Sequence, residues 1–127
     1  MSVIRLMHLH DECIRRHGGI PGLREEGCME RSLGAAETAA AYSNTDDNDI
    51  LTAAVRAGFY LCRNHCFSDG NKRIGWATIV DVLAQAGLEI DRPETEAKDI
   101  MVRVADGSLS AEELQAWVAG CLIAIPS

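Results

Sequence analysis

Apolar residues recur along this chain mostly at intervals of three or four, the spacing that lines one side of an α-helix. Leu6, Leu9, Cys13 and Ile14 follow it, which predicts a first helix over Arg5–Arg16. His17-Gly-Gly-Ile-Pro-Gly-Leu23 then breaks the pattern, because glycine and proline together stop a helix. The segment Cys28–Tyr42 is rich in Ala, Glu and Leu and is expected to be helical. Ser43–Asn48 reads as a polar turn, with Asp49 as the N-cap of a helix over Ile50–Asn64.

The next helix is expected from Asn71 to Ala86, with Gly87 as its stop. Ile74, Ala77, Thr78, Val80, Val82, Leu83 and Ala86 make it apolar around much of its circumference, as a central buried helix would be. Pro93 suits the first turn of a helix ending near Asp106-Gly107. Ser110 and Glu113 have capping-box spacing and open a last helix through Ile123. Strand signals are nearly absent. The expectation is an all-α fold of about six helices packed around the buried one. A long glycine-bearing loop spans residues 17–27. No repeat or interdomain linker interrupts residues 1–127, which read as a single domain.

Composition narrows the function classes. The 127 residues are 47% hydrophobic and 24% charged, as in ordinary globular domains. No uncharged apolar run approaches the roughly 20 residues of a membrane span. The start of the chain has no signal-peptide pattern. The net charge is −7, from 12 basic and 19 acidic side chains, which speaks against direct nucleic-acid binding. The aromatic residues Phe59, Tyr60, Trp76 and Trp117 lack an interleaved basic stripe and read as core. Five cysteines at irregular spacings do not form a secreted disulfide framework, so a reduced, cytoplasmic setting is expected. Cys62 and Cys66, or His8 and His10, do not match common zinc spacings.

One segment departs from the acidic background. Arg63 to Arg73 holds three cations against one carboxylate, a local charge of +2. A helix starting at Gly70-Asn71 would point free N–H groups and a positive dipole end at the preceding loop, a ready anion site. Lys72 and Arg73 oppose that dipole, typically by about 0.3–1 kcal/mol each, unless an anion binds there. Asp69 is an oxygen ligand suited to Mg²⁺ beside phosphate oxygens. His65 can take a proton from an attacking hydroxyl. Phe67 is expected to anchor the loop in the core. Arg63 could add a phosphate contact or form a surface ion pair.

The order His65-x-Phe67-x-Asp69-Gly70-Asn71-Lys72-Arg73 resembles the signature of the Fic/Doc family. The stretch His17 to Gly27, the Ala-rich helix after it and Ser108-Leu-Ser-Ala-Glu-Glu-Leu114 extend the resemblance to the death-on-curing (Doc) branch. This resemblance implies a Fic fold and a toxin of a toxin–antitoxin system that transfers the γ-phosphate of ATP to a protein hydroxyl. It implies that His65 is the general base and Asp69 the Mg²⁺ ligand. It assigns phosphate binding to Gly70, Asn71, Lys72 and Arg73. Most Fic proteins have Gly at the position of Lys72 and transfer a nucleotide monophosphate, so Lys72 points to phosphoryl transfer. Gly70, where the Doc prototype has Ala, is shared with the adenylylating motif. Cys66 stands where many relatives have Pro and puts a thiol beside His65. The implied substrate is elongation factor Tu, whose modification would stop translation. The implied silencer is a separate antitoxin, since the Ser/Thr-x-x-x-Glu-Gly/Asn segment of self-silencing Fic proteins is absent here. Two rivals remain: an adenylyltransferase on the same fold, and a silent module that only binds antitoxin.

Overall fold

Local chemistry sets most helix boundaries in the computed structural model, which describes residues 1–42 and 46–126. Helix α1 spans Val3–His17, and Ser2 caps its N-terminus by accepting from the Arg5 N–H. Helix α2 spans Cys28–Ala41 and α3 spans Asp46–Asn64. Helix α4 runs Asn71–Gln85 after Gly70, whose φ of 75° is the left-handed conformation glycine adopts freely. Helix α5 covers Glu94–Asp106, with Pro93 one position ahead of it and Gly107 closing it at φ 88°. Helix α6 covers Ala111–Ala119 behind a complete Ser110/Glu113 capping box. The all-α expectation therefore stands: among the described residues there are six helices, with sheet confined to a small pair.

Two boundaries differ most from expectation. Helix α3 starts at Asp46, so Asp49 lies inside the helix and not at its cap. Of the expected turn, Ser43 to Thr45 lie outside the described residues, and Asp46 to Asn48 are helical. The last helix does not reach Ile123: Gly120 ends it, and Leu122–Ala124 forms β2. That strand pairs antiparallel with β1, Leu88–Ile90, in the register Leu88↔Ala124 and Ile90↔Leu122.

Helix α3 shares the centre with α4. It packs against α2, α4, α5 and α6, while α4 leaves Val80 exposed, and Ala86 is its exposed C-cap. The two helices cross backbone to backbone. A Cβ added to Gly75 would lie 2.8 Å from the Gly58 carbonyl oxygen, and one added to Gly58 would run into the Gly75 carbonyl and Ile79. This close crossing brings the end of α3 and the start of α4 side by side, so the loop of residues 65–70 is short and projects from one end. Two apolar clusters flank the pair. One unites Leu83, Met101, Val104, Leu114 and Val118 beneath α5 and α6. The other unites Leu6, Met29, Leu61, Phe67 and Ile74 beneath α1, α2 and the loop. Trp76 and Trp117 lie 6.1 Å apart and pack on the first cluster, as core aromatics. Among the described residues, no helix is long and apolar enough to cross a membrane.

Candidate active site

The loop between α3 and α4 is built by its own side chains. Phe67 is buried and anchors it. The Asn71 carboxamide clamps the Phe67 backbone at both ends: Oδ1 accepts from the Phe67 N–H at 3.0 Å, and Nδ2 donates to the Phe67 carbonyl at 2.9 Å. Asn71 therefore holds the loop through its side chain, a different job from the phosphate contact expected of it. Its backbone N–H remains at the helix start.

His65 sits half-buried at φ 50°, the one non-glycine residue with positive φ among those described. Its Nδ1 lies 3.0 Å from the Arg63 carbonyl oxygen. A carbonyl only accepts, so Nδ1 carries the proton in this bond. In the neutral ring Nε2 is then the unprotonated nitrogen, free to receive one.

Asp69 is exposed and doubly anchored. Its Oδ1 accepts from the Gly70 N–H at 2.8 Å and its Oδ2 from the Ile20 N–H at 3.2 Å. These two donors, Ile20 first, hold its carboxyl below the usual range, and the charges of Arg73 and Lys72 add to the effect. An ionised carboxylate keeps further lone pairs open. It fits Mg²⁺, which takes one or two carboxylates together with phosphate oxygens.

Gly70 gives α4 an N-terminus with no side-chain cap and no acidic residue in its first turn. The N–H groups of Asn71, Lys72 and Arg73 have no helical partner there, as at any helix start. Lys72 and Arg73 are exposed, and neither forms an ion pair among the described residues. Uncapped N–H groups and the helix dipole favour an anion at this terminus, and Lys72 and Arg73, both near enough to lower the Asp69 carboxyl, add positive charge to it. Arg63 forms no ion pair among the described residues; its guanidinium lies over the Phe59 ring, 5.6 Å from the centroid. No group of three or more metal-ligating His, Cys, Asp or Glu side chains occurs among the described residues.

The residues 18–27 strap the loop from outside, a contact the sequence left undefined. Arg24 N–H donates to the Cys66 carbonyl at 2.9 Å, and Ser68 N–H donates to the Gly22 carbonyl at 3.0 Å. Leu23 and Phe67 thus form an isolated antiparallel bridge. Gly19 has room for nothing more, since a Cβ there would lie 2.8 Å from Asp69 Oδ2.

Cys66 corrects another expectation. It is not a free thiol beside His65 but is joined to Cys28 in a disulfide, both residues being buried. Their Cα atoms are 5.3 Å apart, within the range disulfides require. A separation of 38 residues hid the pairing from the sequence. Cys13, Cys62 and Cys121 remain free. Burial pushes the Cys62 thiol up to about 11.

Comparison with known proteins agrees with this geometry. The family model described as the Fic/DOC family matches residues 1–83. The chain is also 31% identical over 115 residues to the protein named "Protein kinase doc" of Escherichia phage P1, a span covering 90% of this chain and 88% of that protein. With its motif gathered on one loop, its helices in this order and these two matches, the chain belongs to the Fic/DOC family.

Proposed function

We propose that this chain is a Doc-like protein kinase that transfers the γ-phosphate of ATP to a hydroxyl of a translation factor. The observation that carries the reading is the uncapped N-terminus of α4 with unpaired Lys72 and Arg73, set one loop away from a histidine whose Nε2 is open. In this scheme the backbone N–H groups after Gly70 cradle phosphate oxygens. Arg73 binds them as a fork and Lys72 as a point charge. Asp69 would hold Mg²⁺, which when bound neutralises charge on the phosphates. His65 Nε2 takes the proton of the acceptor hydroxyl as the phosphoryl group arrives. The protein's part is positioning and charge stabilisation, as is general for phosphoryl transfer.

Elongation factor Tu is the proposed acceptor, and the consequence is arrested translation. The chain would then act as a toxin held in check by an antitoxin in trans, with no nucleic acid or membrane of its own to bind. The rival on the same loop is adenylyl transfer. Lys72 favours phosphoryl transfer by resemblance, since Doc-type members carry Lys where most adenylylating Fic proteins carry Gly. The test is transfer to elongation factor Tu from Mg²⁺-ATP labelled at the γ- or the α-position, with His65→Ala as control. Label from γ alone, lost in the variant, supports the kinase. Label from α alone makes the protein an adenylyltransferase. Label from neither, on the factor or on any protein of a whole lysate, leaves a module without transfer activity.

A further inference from the structure

We infer that His10, a residue outside the motif, is a positioning residue that sets the orientation of Asp69 and Gly70 from beneath the loop. This deepens the reading above and rests on it for its effect on transfer. His10 lies on α1 at the spacing of Leu6 and Ile14, and it is only 2% exposed. Its ring stacks on Phe67, with centroids 3.8 Å apart and planes 12° from parallel. Its Nε2 is 2.9 Å from the backbone oxygen of Asp69. That oxygen can only accept, so Nε2 carries the proton and His10 is the donor.

The consequence follows from peptide geometry. The bond between Asp69 and Gly70 is trans, and in a trans peptide the carbonyl and the N–H point in opposite directions. Turning the carbonyl down toward His10 turns the Gly70 N–H up and away from α1. There it meets Asp69 Oδ1 at 2.8 Å. One hydrogen bond from α1 thereby fixes the Gly70 N–H and, through it, the carboxylate proposed for Mg²⁺. Rotation of this peptide would bury the N–H and release the carboxylate. Ile14 from the same helix closes the floor, 3.7 Å from where a Gly70 Cβ would be. His10 contacts no reacting atom and acts only through the loop.

Two substitutions separate the bond from the bulk. His10→Phe keeps a ring to stack on Phe67 but has no donor. His10→Gln places an amide donor near the position of Nε2 but has no ring. Each is compared with the unaltered protein in melting temperature, in Mg²⁺ dependence of γ-phosphate transfer, and in amide exchange over residues 67–71. We expect His10→Phe to raise the Mg²⁺ concentration for half-maximal transfer by ~10–100-fold, the usual effect of losing a residue that orients a metal ligand. Exchange in the loop should quicken by about tenfold, with melting little changed. His10→Gln should restore both toward the unaltered values, which a purely space-filling role would not allow. Should His10→Phe fail to fold, His10→Met fills the site without a donor and takes its place. Equal shifts in the donor and non-donor variants, or no shift in either, overturn the proposal. If the unaltered protein transfers nothing, the kinase reading fails by itself, and loop exchange alone decides whether His10 holds Asp69 and Gly70.

Discussion

Leu83, Val104, Leu114 and Val118 are fully buried beneath α5 and α6, and this side of the molecule is held mainly by apolar packing, with Trp76 and Trp117 against it. The side beneath the loop also buries Leu6, Leu61 and Ile74 but mixes them with directional contacts. There His10 and Ser32 are buried, a disulfide joins α2 to the loop, and the Asn71 amide and the strap of residues 18–27 fasten the backbone. Aliphatic packing tolerates small shifts of its members. A loop that must aim a carboxylate, an imidazole and several N–H groups does not, and hydrogen bonds and a crosslink supply the angular restraint that packing lacks. The contrast predicts that damage on the first side lowers stability and spares transfer, whereas damage on the second costs transfer even where stability is kept.

The largest effect expected is on the first side. Leu83→Ala should destabilise by about 2–5 kcal/mol in denaturant unfolding, from lost burial and the cavity left behind. Transfer by the fraction still folded should be unchanged. On the loop side, Cys28→Ser should cost about 2–4 kcal/mol by releasing the crosslink between residues 38 apart. Alkylation of the unfolded, unreduced protein should then modify three cysteines in the unaltered chain and four in the variant. Asn71→Ala should cost ~1–3 kcal/mol for two hydrogen bonds, yet reduce transfer far more than Leu83→Ala does. An equal loss of transfer in both variants would erase the contrast between the two sides.

The smallest effect concerns pH. The Asp69 carboxyl is held below its ordinary value of 3.8 by the Ile20 and Gly70 N–H groups. A folded value below the unfolded one means the stabilisation is present above pH 3.8 and fades as pH falls through the folded value. Asp69→Asn should remove that acid-limb contribution, seen as a flatter stability curve below pH 4, roughly. An unchanged curve would show that Ile20 does not grip Asp69 in solution.

What the sequence revealed was local. The Ser110/Glu113 capping box, the glycine stops at Gly87 and Gly107 and the start of α4 after Gly70 each depend on a few adjacent residues. The motif residues were legible for the same reason. What it concealed was relations between distant positions. Leu88 pairs with Ala124, and three-residue strands carry too little alternation to announce themselves. The Cys28–Cys66 link and the strap contact of Ile20 with Asp69 join segments far apart in the chain. His10 left a faint trace, since it falls four residues after Leu6 and four before Ile14, on the apolar side of α1. Asn71 belongs to the motif, but only the structure shows its amide closed on Phe67.

The central claim is that the α4 N-terminus and His65 together move a phosphoryl group. Its most direct test is the intact mass of elongation factor Tu after incubation with this protein and Mg²⁺-ATP. A gain of one phosphate, absent when His65→Ala replaces the unaltered protein, is the predicted result. A gain of one nucleotide monophosphate, or a phosphate gain that persists in the His65→Ala protein, would contradict it.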